Sequence, residues 1–181
     1  MFGKCTSLSN INSLGKWRIS SNKYKIVSDN RSHSNNSNLE YDFSFMFADC
    51  SSLSNIESLQ NWNVSNINFF SYMFKGCKSL SNIKPLERWD VSTARIFNGM
   101  FDGCTNLFDI SPLENWNVSN CSNFSEMFKE CSSLTSIKSL EKWNVSNGKN
   151  FNYMFYGCPK LSDIKPLKKW KISKSLLKNI K

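Results

Sequence analysis

The chain has 181 residues, 40% of them hydrophobic and 14% aromatic, with a formal net charge of +9. That apolar content excludes a disordered protein. No run reaches the roughly 18–20 continuous apolar residues of a membrane-crossing helix, and Met1-Phe2-Gly3-Lys4-Cys5 lacks the basic patch and apolar run of a secretory signal. The charge is local: residues 159–181 hold eight lysines and one aspartate, whereas the other 158 carry 15 basic and 13 acidic side chains.

A repeat runs along the chain. Met-Phe recurs at 46–47, 73–74, 100–101, 127–128 and 154–155, always 27 residues apart. Each Met is followed after four residues by Cys50, Cys77, Cys104, Cys131 or Cys158, and after sixteen by Trp62, Trp89, Trp116, Trp143 or Trp170. The first copy holds Met1, Phe2, Cys5 and Trp17, and 45 residues separate it from the second, one period plus an 18-residue insertion. The insertion falls at about 20–39, where the text turns polar, and reads as a projecting loop. A fixed period of this length is the signature of a solenoid, in which each unit buries its apolar face against its neighbours.

Inside each unit the rhythm changes. Phe70, Met73, Phe74 and Cys77 stand at i, i+3, i+4 and i+7, which predicts a short amphipathic helix. Upstream Ser and Asn suit its start, and Gly76, Gly103 and Gly157 suit its end. Leu80, Ile83, Leu86, Trp89 and Val91 follow, and Leu-x-x-Trp-x-Val matches the Leu-x-x-Leu-x-Leu rhythm of a leucine-rich-repeat strand. Pro85, Pro112 and Pro166 cannot donate to a ladder. They predict a corner at Ile-x-Pro-Leu and a short strand at Trp-x-Val, with a one- or two-residue bridge near the Ile left open. The expected fold is an α/β repeat: a leucine-rich-repeat solenoid with one short strand and one short helix per 27-residue unit. Six repeats fill 1–170, starting near 1, 46, 73, 100, 127 and 154, and 171–181 is expected to be a basic cap helix with Ile172, Leu176 and Ile180 on one side.

The string from Trp116-Asn117-Val118-Ser119-Asn120 through Met127-Phe128 and Cys131-Ser132-Ser133-Leu134 resembles the BspA-like leucine-rich repeats. These mycoplasma-lipoprotein-type repeats occur in bacterial surface proteins. The resemblance covers nearly the whole chain outside the insertion and the last ten residues. It implies adhesion or protein binding, and a place at the cell surface.

The residues offer little chemistry. Six of the seven cysteines share one repeat position and Cys121 is extra, a ladder that supplies no convergent zinc ligands and points to buried free thiols. Free thiols and the missing signal point to a reducing compartment such as the cytosol. His33 is the only histidine and lies in the insertion, so no His-based triad can form, and no Gly-rich phosphate loop is present. No cofactor and no metal are expected. Glu87, Glu114 and Glu141 form a carboxylate column beside Arg88 and Lys142, read as a solvated face. The sequons at Asn63, Asn117 and Asn144 reflect the Trp-Asn-Val-Ser turn.

The expected function is therefore a non-catalytic protein-binding scaffold with a protein ligand. Its face is the set of residues that vary beside the Trp: Arg88, Asp90, Asn115, Asn117, Lys142, Asn144, Lys169 and Lys171. A BspA-like surface adhesin is the alternative. Binding of nucleic acid or acidic membrane by the lysine-rich tail is a second alternative, set below the cap reading. Because Met1 falls inside a repeat, the sequence also leaves open a longer array, or self-association through that uncapped end.

Overall fold

The computed structural model describes residues 2–16 and 41–181; the expected insertion, His33 and Trp17 lie outside the described residues. The chain is a repeat solenoid. Its regularity comes from hydrogen bonds between like positions of successive coils.

The segment Phe-x-x-Met-Phe-x-x-Cys is not the amphipathic helix that its spacing predicts. In the second coil the amides of Met46, Ala48 and Cys50 donate to Phe43, Phe45 and Phe47, each at 3.2 Å, as overlapping turns. The amides between them, of Phe43, Phe45, Phe47 and Asp49, donate across to Phe69, Ser71, Met73 and Lys75 of the next coil at 2.6–2.9 Å. A helix spends every amide within itself; here half of them cross to the neighbour. The alternation places Phe45, Tyr72, Glu126 and Tyr153 in the left-handed region at φ 56–60°, a conformation that side chains avoid. The cross-coil bonds hold them there. The i, i+3, i+4, i+7 pattern misleads because it marks the inward positions of this turn ribbon as faithfully as those of a helix.

The strands also sit elsewhere than expected. β1 (Tyr41–Asp42) pairs in parallel with β2 (Ile67–Phe69), and the bridges Phe69↔Ile96, Ile96↔Asn123 and Asn123↔Asn150 continue the line through later coils. This line lies just before the Phe of each ribbon. At Trp-x-Val the chain bends instead, because Asn63, Asp90, Asn117 and Asn144 accept the amide two residues on at 3.0–3.2 Å. Such side-chain turns compete with a strand. The bridge left open near the Ile forms between Asn10 and Asn55.

The corner at Ile-x-Pro-Leu is a 3-10 helix in each coil, at Asn12–Lys16, Glu57–Asn61, Lys84–Leu86, Ser111–Leu113, Lys138–Lys142 and Lys165–Trp170. The residue before each Ile starts it: Asn55, Asn82, Asp109 and Asp163 accept the amide two residues on at 2.8–2.9 Å. Pro85 and its equivalents sit in the first turn, where a missing N–H costs nothing.

Stacking then buries whole columns. Phe47, Phe74, Phe101, Phe128 and Phe155 lie ring on ring at 5.6–5.7 Å. The indole N–H groups of Trp62, Trp89, Trp116, Trp143 and Trp170 each donate to a Leu carbonyl of the preceding coil, as Trp116 does to Leu86 at 3.0 Å. Each thiol of Cys77, Cys104, Cys131 and Cys158 likewise meets a Phe carbonyl of the preceding coil at 3.1–3.2 Å. A polar atom buried in this core would cost stability unless paired, and the repeat gives each the same partner.

At the far end the chain folds back. The helix α1 (Lys174–Leu177) leads into a segment whose Asn179 and Ile180 carbonyls accept the amides of Tyr153 and Phe155 at 2.6 and 2.8 Å. Those two carbonyls stand where a further coil would supply acceptors. Ile180 is buried, and the Lys181 ammonium donates to the Leu161 carbonyl.

Candidate interaction surface

All eight residues picked from the sequence are exposed: Arg88, Asp90, Asn115, Asn117, Lys142, Asn144, Lys169 and Lys171. Each flanks a Trp that points inward, so the backbone fixes their direction. Arg88, Asn115, Lys142 and Lys169 lie at the exit of the 3-10 helices. Asp90, Asn117 and Asn144 start the following turn, and their side-chain oxygens are already used to close it. They shape the corner as well as facing solvent. Hydrogen bonds from Ser92 hold the Asp90 carboxyl below the ordinary carboxylate range.

The carboxylate column belongs to the same surface. Lys142 pairs with Glu114 at 2.7 Å and Lys169 with Glu141 at 3.8 Å, each lysine reaching the carboxylate of the preceding coil. The hydrogen bond from Lys142 and its charge hold the Glu114 carboxyl below its ordinary value and raise the ammonium in turn. Charges that one coil would stack like on like are thus interleaved between coils. A 28-residue offset, one period plus one, carries this signal in the sequence.

Beside this row the 3-10 face carries two grooves of about 610 Å³ each, which share Phe108, Asp109, Ser111 and Glu114. Phe108 is 58% exposed. Sequence reasoning passed over it, although it breaks a column otherwise made of Ser54, Ser81, Thr135 and Ser162.

The turn ribbon forms another face. Phe45 stacks on Tyr72 at 5.1 Å, and the Lys75 ammonium lies 5.0 Å from the Tyr72 ring centre. Lys75 also pairs with the buried Asp102 at 3.4 Å; burial raises that carboxyl, against the pull of Lys75 and Lys129. Gly99 takes the ribbon position held elsewhere by Phe45, Tyr72, Glu126 and Tyr153, and the Tyr72 ring occupies the space a Cβ would fill.

The thiols are inward groups. Cys5 is exposed and the other six cysteines are buried and free. Burial pushes Cys158 up to about 11 and Cys121 to about 12 from the ordinary 9.0. In the native protein a disulfide reagent at pH 8 is expected to modify Cys5 and to reach the others only on unfolding, a titre that absorbance measures directly. The same shifts set a pH dependence. Folded thiols stay protonated where unfolded ones ionise, so their contribution is complete below pH 9 and declines as pH rises through 9 towards 11 and 12. Urea midpoints are expected to fall over that window, and less steeply in a Cys121→Ala, Cys158→Ala double variant.

Among the described residues no group of three or more His, Cys, Asp and Glu is placed to hold a metal, and no helix is long and apolar enough to cross a membrane.

Residues 1–107 and 80–179 match the family described as "Mycoplasma protein of unknown function, DUF285". A leucine-rich repeat protein of Eubacterium ventriosum is similar in structure, with a TM-score of 0.40 and 16% identity over 64% of this chain and 27% of its own. Internalin C2 of Listeria monocytogenes is similar at a TM-score of 0.16 and 15% identity, over 67% of this chain and 69% of its own. The chain therefore spans about a quarter, 27%, of the length of the Eubacterium protein. No curated protein matches. The family match takes in nearly every residue and carries the Met-Phe, Cys and Trp spacing throughout, and the chain belongs to the DUF285 family of mycoplasma-type, BspA-like repeats.

Proposed function

We propose that the chain is a non-catalytic scaffold of the leucine-rich-repeat kind that binds a protein through the row Arg88, Asp90, Asn115, Asn117, Lys142, Asn144, Lys169 and Lys171. One observation carries the reading. The apolar residues that repeat from coil to coil are buried, while the two exposed columns beside the Trp change along the stack, from Arg88 to Asn115 to Lys142 and from Asp90 to Asn117 to Lys171, on a backbone whose spacing is fixed. A rigid surface whose residues can change without touching the core suits recognition, because little ordering entropy is lost on binding. The grooves around Phe108 adjoin the row and offer an apolar anchor of the kind that dominates interfaces. The same surface would serve a BspA-like adhesin, the family alternative.

The test replaces Asp90→Asn, Lys142→Gln, Lys169→Gln and Lys171→Gln together. Gln is preferred to Glu because a carboxylate at Lys142 would face Glu114. Recovery of the partner from source cells is expected to fall at least about tenfold, the range in which interface charges act, with the melting temperature unchanged. Equal recovery by the variant and the parent would remove this row as the binding surface.

A further inference from the structure

The lysine-rich end has two sides. The apolar side of the tail packs inward: Ile180 is buried, and Ile172, Leu176 and Leu177 pack against the core. Apart from Lys181, whose ammonium donates to the Leu161 carbonyl, its lysines do not share in this. Lys174 and Lys178 are exposed, as are Lys160, Lys165, Lys168 and Lys171. Of the eight lysines in residues 159–181, Lys169 is the one within 4 Å of a carboxylate among the described residues. A lysine-rich composition would spread evenly along the chain; here the surplus is confined to the last coil and its tail.

Two aromatic rings stand in this field. Tyr153 and Tyr156 are each 49% exposed and meet edge to face, with ring centres 5.9 Å apart. The Tyr153 amide is bonded to the Asn179 carbonyl, one residue after Lys178, and Lys160 follows four residues after Tyr156. At the Tyr156 position the other coils carry Ala48, Lys75, Asp102 and Lys129, and neither exposed tyrosine has a core role.

From this we infer that the C-terminal end of the solenoid binds single-stranded nucleic acid, with the lysines on phosphates and Tyr153 and Tyr156 stacking on bases. Exposed rings within a lysine field are the elements of sequence-tolerant single-strand binding. Lysine acts as a point charge, which suits a phosphate chain without sequence readout. Because the tail closes the stack with its backbone and apolar side, the lysines are free to act outward. This surface meets the protein-binding row at Lys171, but Lys174, Lys178, Tyr153 and Tyr156, which its test changes, lie outside that row.

Fluorescence anisotropy with a labelled oligouridine of about 16 nucleotides, a length that spans a typical single-strand site, tests the inference on the full chain. Binding is expected at low salt, with a log–log salt slope of about −2 to −4 for three to five phosphate contacts. Lys174→Glu with Lys178→Glu is expected to weaken it more than about tenfold through lost phosphate contacts. Tyr153→Ala and Tyr156→Ala are each expected to weaken it about fivefold to tenfold, the scale of one lost base stack. Ala48 already fills the second position in another coil, and thermal melting verifies that each variant is folded. The inference is overturned by an absence of binding at low salt. It is equally overturned if the tyrosine variants bind as the parent does, or if phosphatidylserine vesicles are bound as tightly as oligouridine with no dependence on the tyrosines.

Discussion

Phe101→Ala is expected to lower the unfolding free energy by about 3–5 kcal/mol, the range for removing a buried aromatic side chain. Phe101 has no exposed surface and stacks on Phe74 and Phe128 at 5.7 Å on either side. The deletion opens a cavity at the middle of the column, where neither neighbour can close in without breaking its own cross-coil hydrogen bonds. The Phe74 amide is tied to Met100 and the Phe101 amide to Met127, each at 2.9 Å. Urea denaturation followed by tryptophan fluorescence measures the loss. Because stability in a solenoid is carried by nearest-neighbour interfaces, the same change at Phe155, in the last coil, is expected to cost less. Equal costs at the two positions would argue against a column built coil by coil.

Ile180→Asp is expected to release the C-terminal segment while leaving the middle coils folded. Ile180 is 2% exposed, and its carbonyl accepts the Phe155 amide. A charge at that buried position costs several kcal/mol, more than a segment held by a few contacts can offset. The amides of Tyr153 and Phe155 then lose their acceptors, and native-state hydrogen exchange is expected to show them exchanging orders of magnitude faster. The amides of Phe74 and Phe101 should remain protected. The exposed end of the last coil is also expected to promote association, visible in light scattering, because an open column of apolar side chains seeks a partner.

Much of this architecture could be read from the spacing of a few residues. The 27-residue recurrence of Met-Phe, Cys and Trp determines which side chains stack, and Phe47, Cys77 and Trp116 are buried as the period requires. The prolines mark the 3-10 corner because their missing amide is tolerated there and not in a ladder. What the pattern hides is the backbone between those points. The apolar positions of Phe70, Met73, Phe74 and Cys77 suit a helix and a turn ribbon alike. The choice between them rests on cross-coil hydrogen bonds, which no local sequence window contains. Trp-x-Val resembles a strand, yet Asn117 and Asp90 bend the chain there through bonds to their own neighbours.

The candidate surface was legible in part for the same reason. Positions beside an inward Trp must face outward, so Lys142 and Asn144 follow from the period. Their partners do not: Glu114 reaches Lys142 through an offset of one period plus one residue. Phe108, Tyr153 and Tyr156 were missed because an isolated aromatic in an apolar-rich repeat reads as core until its column is compared coil by coil.

We expect the outward row beside the tryptophans to be the recognition surface of a rigid stack. A photoreactive side chain placed at Asn117, in the row, and separately at Asn152, on the turn-ribbon face, tests it most directly in cells of the source organism. Both positions are exposed, so both report on what lies against them. A discrete protein adduct is expected from Asn117 and none of that mass from Asn152. The same adduct from both positions, or an adduct from Asn152 alone, would contradict it.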